Sequence, residues 1–306
     1  MSRPQSVIVP EPPENALFLV LRVKDRKQDA RAVADAAAQV PAFTRRLATK
    51  PRLRVRSAVA FGREMWDAVS PEARPDGFAK FRAMKAGKGD QRRAPATGGD
   101  LLLHVVSRER GLCFDLAMRF REELGKRAKV MDEVHAFRYR DYRDLTGFVD
   151  GTENPSGSAR ARVALLPSSH PFAGGSFVFT QRYVLDRAKW QKLDVKWQEG
   201  VIGRTKQHSR ELSDAMKPPT AHIARVVIEE DGEELEILRH SCPYGTTSEH
   251  GLFFIAYTND LAIPTKMLSR MIGTSGDGRS DHLLRYTQAV SGAHFFAPSL
   301  ETLRSL

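Results

Sequence analysis

The apolar residues of the first half run through one succession of periods (strand, helix, strand, strand, helix, strand) that the second half repeats loosely, and that repetition limits the fold more than any other feature. In the first half, Ala16 to Val23 is a β-rich apolar run. Ala30 to Val40 sets Val33, Ala37 and Val40 on one helical face, and Val55 to Phe61 alternates as a strand. Pro41 is expected to end or kink that helix, because proline lacks the amide donor of a helix interior. A polar loop from Gly87 to Gly99 leads to a strand at Leu101 to Val106. A helix from Gly111 to Leu124 follows, with Leu112, Leu116 and Phe120 at four-residue spacing, and then a strand from Val130 to Tyr139. The second half repeats the plan with strands at Gly175 to Leu185, Ile223 to Ile228, Leu235 to Arg239 and Gly251 to Thr258, and helices at Arg187 to Leu193 and Leu261 to Ile272. Two βαββαβ units predict an α+β fold of duplicated ferredoxin-like units, with helices packed on antiparallel sheets. The boundary is expected near Asp144 to Ser158, giving an N-terminal domain of residues 1–146 and a C-terminal domain of residues 147–306.

Composition narrows the class. A chain of 306 residues, 41% of them hydrophobic, can bury a large core. No apolar run approaches the ~20 residues that cross a bilayer, and Met1-Ser2-Arg3-Pro4-Gln5 lacks the layout of a signal peptide, so no membrane partner is expected. The two cysteines, Cys113 and Cys242, form neither a disulfide framework nor a metal-ligand spacing, which suits a cytoplasmic protein. The net charge of +11 belongs to the first half, where residues 1–150 hold 30 Lys and Arg against 20 Asp and Glu. Phe81 is the lone aromatic within the basic stretches Arg45 to Arg56 and Lys80 to Arg93. They therefore read as a solvated basic face, and no specific nucleic-acid partner is expected.

Three segments carry chemistry. Gly147-Phe148-Val149-Asp150-Gly151-Thr152-Glu153-Asn154-Pro155 fixes a carboxylate in a glycine-flanked turn, although Asp-Gly is also a common hairpin dipeptide. Pro218-Pro219-Thr220-Ala221-His222-Ile223-Ala224-Arg225 and Leu238-Arg239-His240-Ser241-Cys242-Pro243-Tyr244-Gly245 follow it. His222 lies 72 residues after Asp150, and Arg239 lies 17 after His222.

In that order and spacing the segments resemble the haem-pocket elements of the dye-decolourising peroxidases, particularly the bacterial B-type group. Ala94 to His104, Val201 to Lys206 and Gly292 to Pro298 add to the resemblance, which spans nearly the whole chain. It implies one haem b per chain, with His222 as the axial iron ligand and Asp150 and Arg239 as distal groups. Neutral imidazole suits the first task, and a proton acceptor beside a fixed charge suits breaking the O–O bond of peroxide. Ser241 is placed where its hydroxyl can hold a distal water. Arg204 is placed near a haem propionate, Gly151, Thr152 and Glu153 near the macrocycle edge or its access channel, and Phe254 against the porphyrin. Asp281 is the expected acceptor for the other nitrogen of His222.

The implied activity is oxidation of phenolic, dye-like or other small reducing substrates by hydrogen peroxide, in a protein that forms homo-oligomers. The alternative with the same pocket is a haem-binding or haem-iron release protein. Cys242, before Pro243, is read as a small buried hydrophobe and not as a thiolate ligand. Trp66, Trp190, Trp197, Tyr183 and Tyr257 are candidate electron relays. Because few residues follow Phe296-Ala297-Pro298, packaging into a protein nanocompartment is not expected.

Overall fold

The run Ala16 to Val23 has almost no polar positions because both of its faces are buried. Leu17, Leu19 and Leu21 face one apolar cluster, while Ala16, Phe18 and Val20 face another. In the computed structural model, which describes residues 2–87, 90 and 92–306, the main sheet has ten strands. They are β1 (Asn15–Val23), β2 (Arg56–Gly62), β3 (Leu101–Ser107), β4 (Ala128–Phe137), β5 (Ser176–Leu185), β6 (Leu238–Arg239), β7 (Cys242–Gly245), β8 (His250–Thr258), β9 (Thr287–Ala289) and β10 (Ala293–Ala297). Of the polar loop expected at Gly87 to Gly99, Lys88, Gly89 and Gln91 lie outside the described residues.

All pairings are antiparallel, and they close on themselves. Within the first half the order is β4-β1-β3-β2, and within the second it is β10-β5-β8-β7. The halves join at two seams. At one, Phe295 and Phe296 of β10 pair with Gly62 and Phe61 of β2; at the other, Tyr244 of β7 pairs with Ala136 of β4. The short strands β6 and β9 flank the ring on β8 and β5. Its lumen is filled by Phe18, Leu102, Val134, Val178, Phe253, Ile255 and Phe295 among others, so the barrel is a packed core.

The helices around this ring include α1 (Ala30–Leu47), α2 (Arg110–Leu124), α3 (Arg187–Gln191), α4 (Val195–Ile202), α5 (His222–Val226) and α6 (Ala262–Ile272). α1 and α2 press on the outer face of the first-half sheet through Val33, Ala37, Val40, Leu116 and Phe120. At Pro41, where an end or a kink is expected and resumption through Phe43 and Leu47 is open, α1 does not end but continues to Leu47. Phe43 and Thr44, beyond the proline, are buried like Val33 and Val40 before it, and docking on both sides outweighs the one backbone bond proline removes.

The strand expected at Ile223 to Ile228 is absent. Those residues begin as α5, and of Leu235 to Arg239 only Leu238–Arg239 pairs in the sheet. The β-branched residues favour a strand, but Ala221 N–H donates to Pro218 O, Arg225 N–H to Ala221 O and Val227 N–H to Ile223 O, which wind the segment into a turn of helix. Buried Arg225 fixes it in place by donating to Arg270 O and to Asp277. No helix among the described residues is long and apolar enough to cross a membrane.

Polar groups interrupt the lumen, His104 and its neighbour His240 among them. Fully buried His104 shares a 2.8 Å hydrogen bond between Nδ1 and the Tyr257 hydroxyl, and burial pushes its imidazole down to about 3. As pH falls below the ordinary value near 6.5, the unfolded chain therefore takes up a proton that the folded chain refuses. His104 alone then lowers stability by about 1.4 kcal/mol per pH unit, or about 2 kcal/mol by pH 5, and the buried His240 and His294 act in the same direction. His104→Gln, which retains a hydrogen-bonding side chain without titrating, is expected to flatten this slope in urea midpoints measured at pH 7.5 and pH 5. Equal slopes in the two proteins would show that His104 does not carry it.

Candidate active site

On the second-half sheet the outer face is not covered directly. α4, α5 and α6 stand off from it, and with the loop of residues 144–153 they enclose a cleft with about 1520 Å³ of free space, its open mouth included. Side-chain alternation along the strands sorts the residues. On β8, Phe253 and Ile255 enter the lumen, while Leu252 and Phe254 line the cleft; on β5, Phe179, Gln181, Tyr183 and Leu185 line it too. Ile202, Ile223, Met267, Leu268 and Met271 complete an apolar wall from the helices.

Asp150, Arg239, Ser241, His222, Arg204, Gly151, Thr152, Glu153 and Phe254 all line this one cleft, although they come from loops, two strands and a helix. His222 opens α5, its side chain about one quarter exposed. Its Nδ1 lies 2.6 Å from Oδ2 of Asp281, which is fully buried and also accepts from Leu283 N–H. A carboxylate at Nδ1 makes that nitrogen the donor and leaves Nε2 with its lone pair free.

The loop before Asp150 is a small hairpin. Arg143 bridges Val149, Asp144 N–H donates to Phe148 O, and Asp150 N–H donates to Tyr142 O. Gly147 turns it at φ +88°, where a Cβ would lie 2.8 Å from Cε of Lys206, and Gly151 follows Asp150 at φ +78°. The Asp-Gly dipeptide is therefore a turn, and the same turn presents a carboxylate to the cleft.

Two features escaped the sequence. The side-chain amide of Asn154 donates to Arg239 O and accepts from Arg239 N–H, each at 2.9 Å, so the Asp150 loop is tied to the backbone of the strand that carries Arg239. Asp144 also lines the cleft. Burial pushes its carboxyl up to about 6, helped by the charge of Asp150, while hydrogen bonds from Thr146 pull it back. An amide clamp has no signature in a single sequence, and Asp144 stands too far along from Asp150 to read as its companion.

Arg204 is engaged within the chain, donating to Ser209 O at 2.8 Å and pairing with Glu153 at the mouth. The Ser241 hydroxyl is buried without a partner among the described residues, as is the Gln181 amide nitrogen. Beside Ser241, burial pushes the Cys242 thiol up to about 12, so it is no thiolate at neutral pH. A flat apolar slot with a free imidazole nitrogen, two arginines and an unpartnered hydroxyl fits a haem.

Comparisons with known proteins agree with this geometry. Residues 5–138 match the family description "Dyp-type peroxidase, N-terminal", and residues 141–302 match "Dyp-type peroxidase, C-terminal". A dye-decolorizing peroxidase of Mycolicibacterium paratuberculosis is 38% identical over 98% of this chain and 85% of its own length. Among solved structures, a putative dyp-type peroxidase from Shewanella oneidensis superposes with TM-score 0.93 at 37% identity, covering 100% of this chain and 99% of that one. A DypB variant from Rhodococcus jostii RHA1, determined in complex with heme, superposes with TM-score 0.93 at 37% identity over 99% and 98% of the two chains. With both halves matched and relatives aligned end to end, the chain belongs to the Dyp-type peroxidase family and is a peroxidase.

Proposed function

We propose that His222 is the axial ligand of the haem this peroxidase uses, and that Asp150, Arg239 and Ser241 form the chamber in which hydrogen peroxide is cleaved. The observation that carries this is the His222–Asp281 pair opening into the same cleft as Asp150 and Arg239. When bound, haem supplies an iron centre that accepts oxidising equivalents from peroxide and passes them to a reducing substrate. Asp281 holds the imidazole in one tautomer and makes Nε2 more basic. Asp150 takes the proton from the near oxygen of peroxide and returns it to the far one, so that water leaves. Arg239 offers fixed guanidinium donors to the negative charge that develops as the O–O bond breaks. Ser241 holds water or peroxide with its free hydroxyl.

Arg204 is assigned to a propionate, exchanging or sharing its Glu153 partner. Thr152 and Glu153 are assigned to the access channel, Gly151 to the macrocycle edge, and Phe254 to packing on the ring. Peroxide cleavage needs the proton shuttle and the charge stabiliser, whereas simple haem carriage does not, which favours the enzyme over a carrier. An absorption spectrum with a Soret band, and peroxide-dependent oxidation of a phenol by the purified protein, test the assignment. Absence of either would overturn it.

Asn154 should matter through the groups it ties together. Asn154→Ala is expected to slow the first peroxide-dependent spectral change by roughly tenfold with haem content unchanged, because small misplacements of reacting groups are costly. Asn154→Asp keeps one of the two bonds and should fall between. Rapid-mixing spectra check this, and unchanged rates in both variants would remove Asn154 from the mechanism.

We also read the chain as two ferredoxin-like domains, residues 1–146 and 147–306. The strand orders β4-β1-β3-β2 and β10-β5-β8-β7 support that reading, each with its first and third strands central. A cytoplasmic site suits its two free cysteines, and self-association suits the exposed Phe114 and Met118 one turn apart on α2.

A further inference from the structure

Arg239 and Ser241 face the cleft, and the residue between them faces the lumen. His240 is buried there beside His104 and Tyr257, with ring centres 6.1 and 5.5 Å away, and its N–H donates to Ile255 O at 3.0 Å. Its Nε2 lies 3.2 Å from Nη2 of Arg160. Arginine has donors only, so Nε2 is the acceptor and the ring proton sits on Nδ1, which is buried without a partner among the described residues. A second proton would turn Nε2 into a donor and end the bond. Burial first, and then His104, Arg160 and Arg56, hold the ring neutral far below the ordinary histidine value. Arg160 is itself buried, in the short helix Ala159–Ala164. Its Nε donates to Val9 O at 2.7 Å, and its Nη1 reaches Pro155 O at 3.4 Å. A buried guanidinium is costly unless its donors are used. Here they are aimed at the end of the Asp150 loop, at the segment that carries Arg239 and Ser241, and at the N-terminal half of the chain.

We propose that Arg160 and His240 are positioning residues for peroxide cleavage, which fix the direction in which the Arg239 side chain leaves its strand. Asn154 already ties the loop to the backbone of Arg239. Arg160 ties the next residue of each segment, Pro155 after Asn154 and His240 after Arg239. One tie leaves a hinge, whereas two at successive positions stop one segment from turning about the other. Neither Arg160 nor His240 lines the cleft, so both act through Arg239. The proposal rests on the assignment of Asp150 and Arg239 to the chamber where peroxide is cleaved.

The test uses the haem-loaded protein and fluoride, an anion that binds ferric haem without turnover and takes hydrogen bonds from the distal groups. Its affinity, read from the absorption spectrum, reports where the Arg239 guanidinium points. That affinity is expected to weaken about fivefold in Arg160→Met and in His240→Leu, because a charge-assisted hydrogen bond is misdirected. The first peroxide-dependent absorbance change should slow about tenfold with haem content unchanged. His240→Gln keeps a neutral acceptor and should stay near the wild type. Arg160→Lys keeps the charge but not the fork; it should fall between, and it carries the test if the truncated proteins do not fold. In an Arg239→Leu background the Arg160 and His240 substitutions should change fluoride affinity by less than about twofold, because the group they aim is gone. A role confined to stability would give the same fold-change in both backgrounds, and that result would overturn the proposal. So would wild-type affinity and rate in Arg160→Met and Arg160→Lys. Wild-type peroxide rates in Arg239→Leu and Asp150→Asn would instead count against the assignment of the distal chamber.

Discussion

His222→Ala is expected to lose most of its bound haem, with occupancy after purification reduced tenfold or more. What remains should lack the spectrum of an imidazole-ligated iron. The polar groups facing the cleft are weaker or harder ligands, the Met267 and Met271 thioethers belong to its apolar wall, and Cys242 is a protonated thiol held off the cleft by burial. Asp281→Asn should be milder. The amide can still meet His222, but its own N–H₂ then faces the N–H of Leu283, which now donates to Oδ1. Loss of such a supporting carboxylate typically costs about 10–100-fold in affinity for the bound group. Haem titration followed at the Soret band measures both, and full occupancy with an unchanged spectrum in His222→Ala would remove His222 as the ligand.

The distal pair is expected to give the opposite pattern. Asp150→Asn keeps the shape of the side chain but cannot take a proton, and Arg239→Leu removes the charge stabiliser; each should slow the first peroxide-dependent absorbance change by about 10²–10³ while leaving haem bound. Because Asn154 holds the backbone of Arg239 and not its guanidinium, Arg239→Leu leaves that clamp whole, so its effect reports on the side chain alone. Stopped-flow spectra of the two variants distinguish a divided task from a shared one. Wild-type rates in both would mean that neither group faces peroxide.

Much of the architecture was legible because strands buried on both faces stand out as nearly continuous apolar runs. β1, β3 and β8 fall within a residue or two of their expected ends, and so do α2 and α6. The errors came where tertiary contacts overrule local preference. Ile223 to Ile228 looks like a strand, yet its backbone bonds close within the segment and buried Arg225 ties it to Arg270 and Asp277. Pro41 looks like a stop, yet α1 is docked on both sides of it. Closure of the sheet could not be read, since pairing between β2 and β10 or β4 and β7 joins residues more than a hundred positions apart. At the site, sequence could mark Asp150, His222 and Arg239 by their order along the chain, but not how Asn154 fastens one segment to another.

The two seams of the barrel, with three paired positions between them, have a consequence for how the molecule can be taken apart. Side-chain contact also holds the halves, inside the lumen, where Phe18 of the first half stacks on Phe253 of the second at 4.1 Å, and outside it, where Trp66 meets Phe296 at 4.8 Å. Every residue that lines the cleft lies between Asp144 and Thr287, so one piece of the chain contains the whole cofactor site and the other supplies only its backing. Cut in the connection between β4 and the Asp150 hairpin, the chain becomes a pair of complementing fragments: neither lumen face is stable in water alone, and capture of haem by the second fragment becomes an optical signal that the first has arrived.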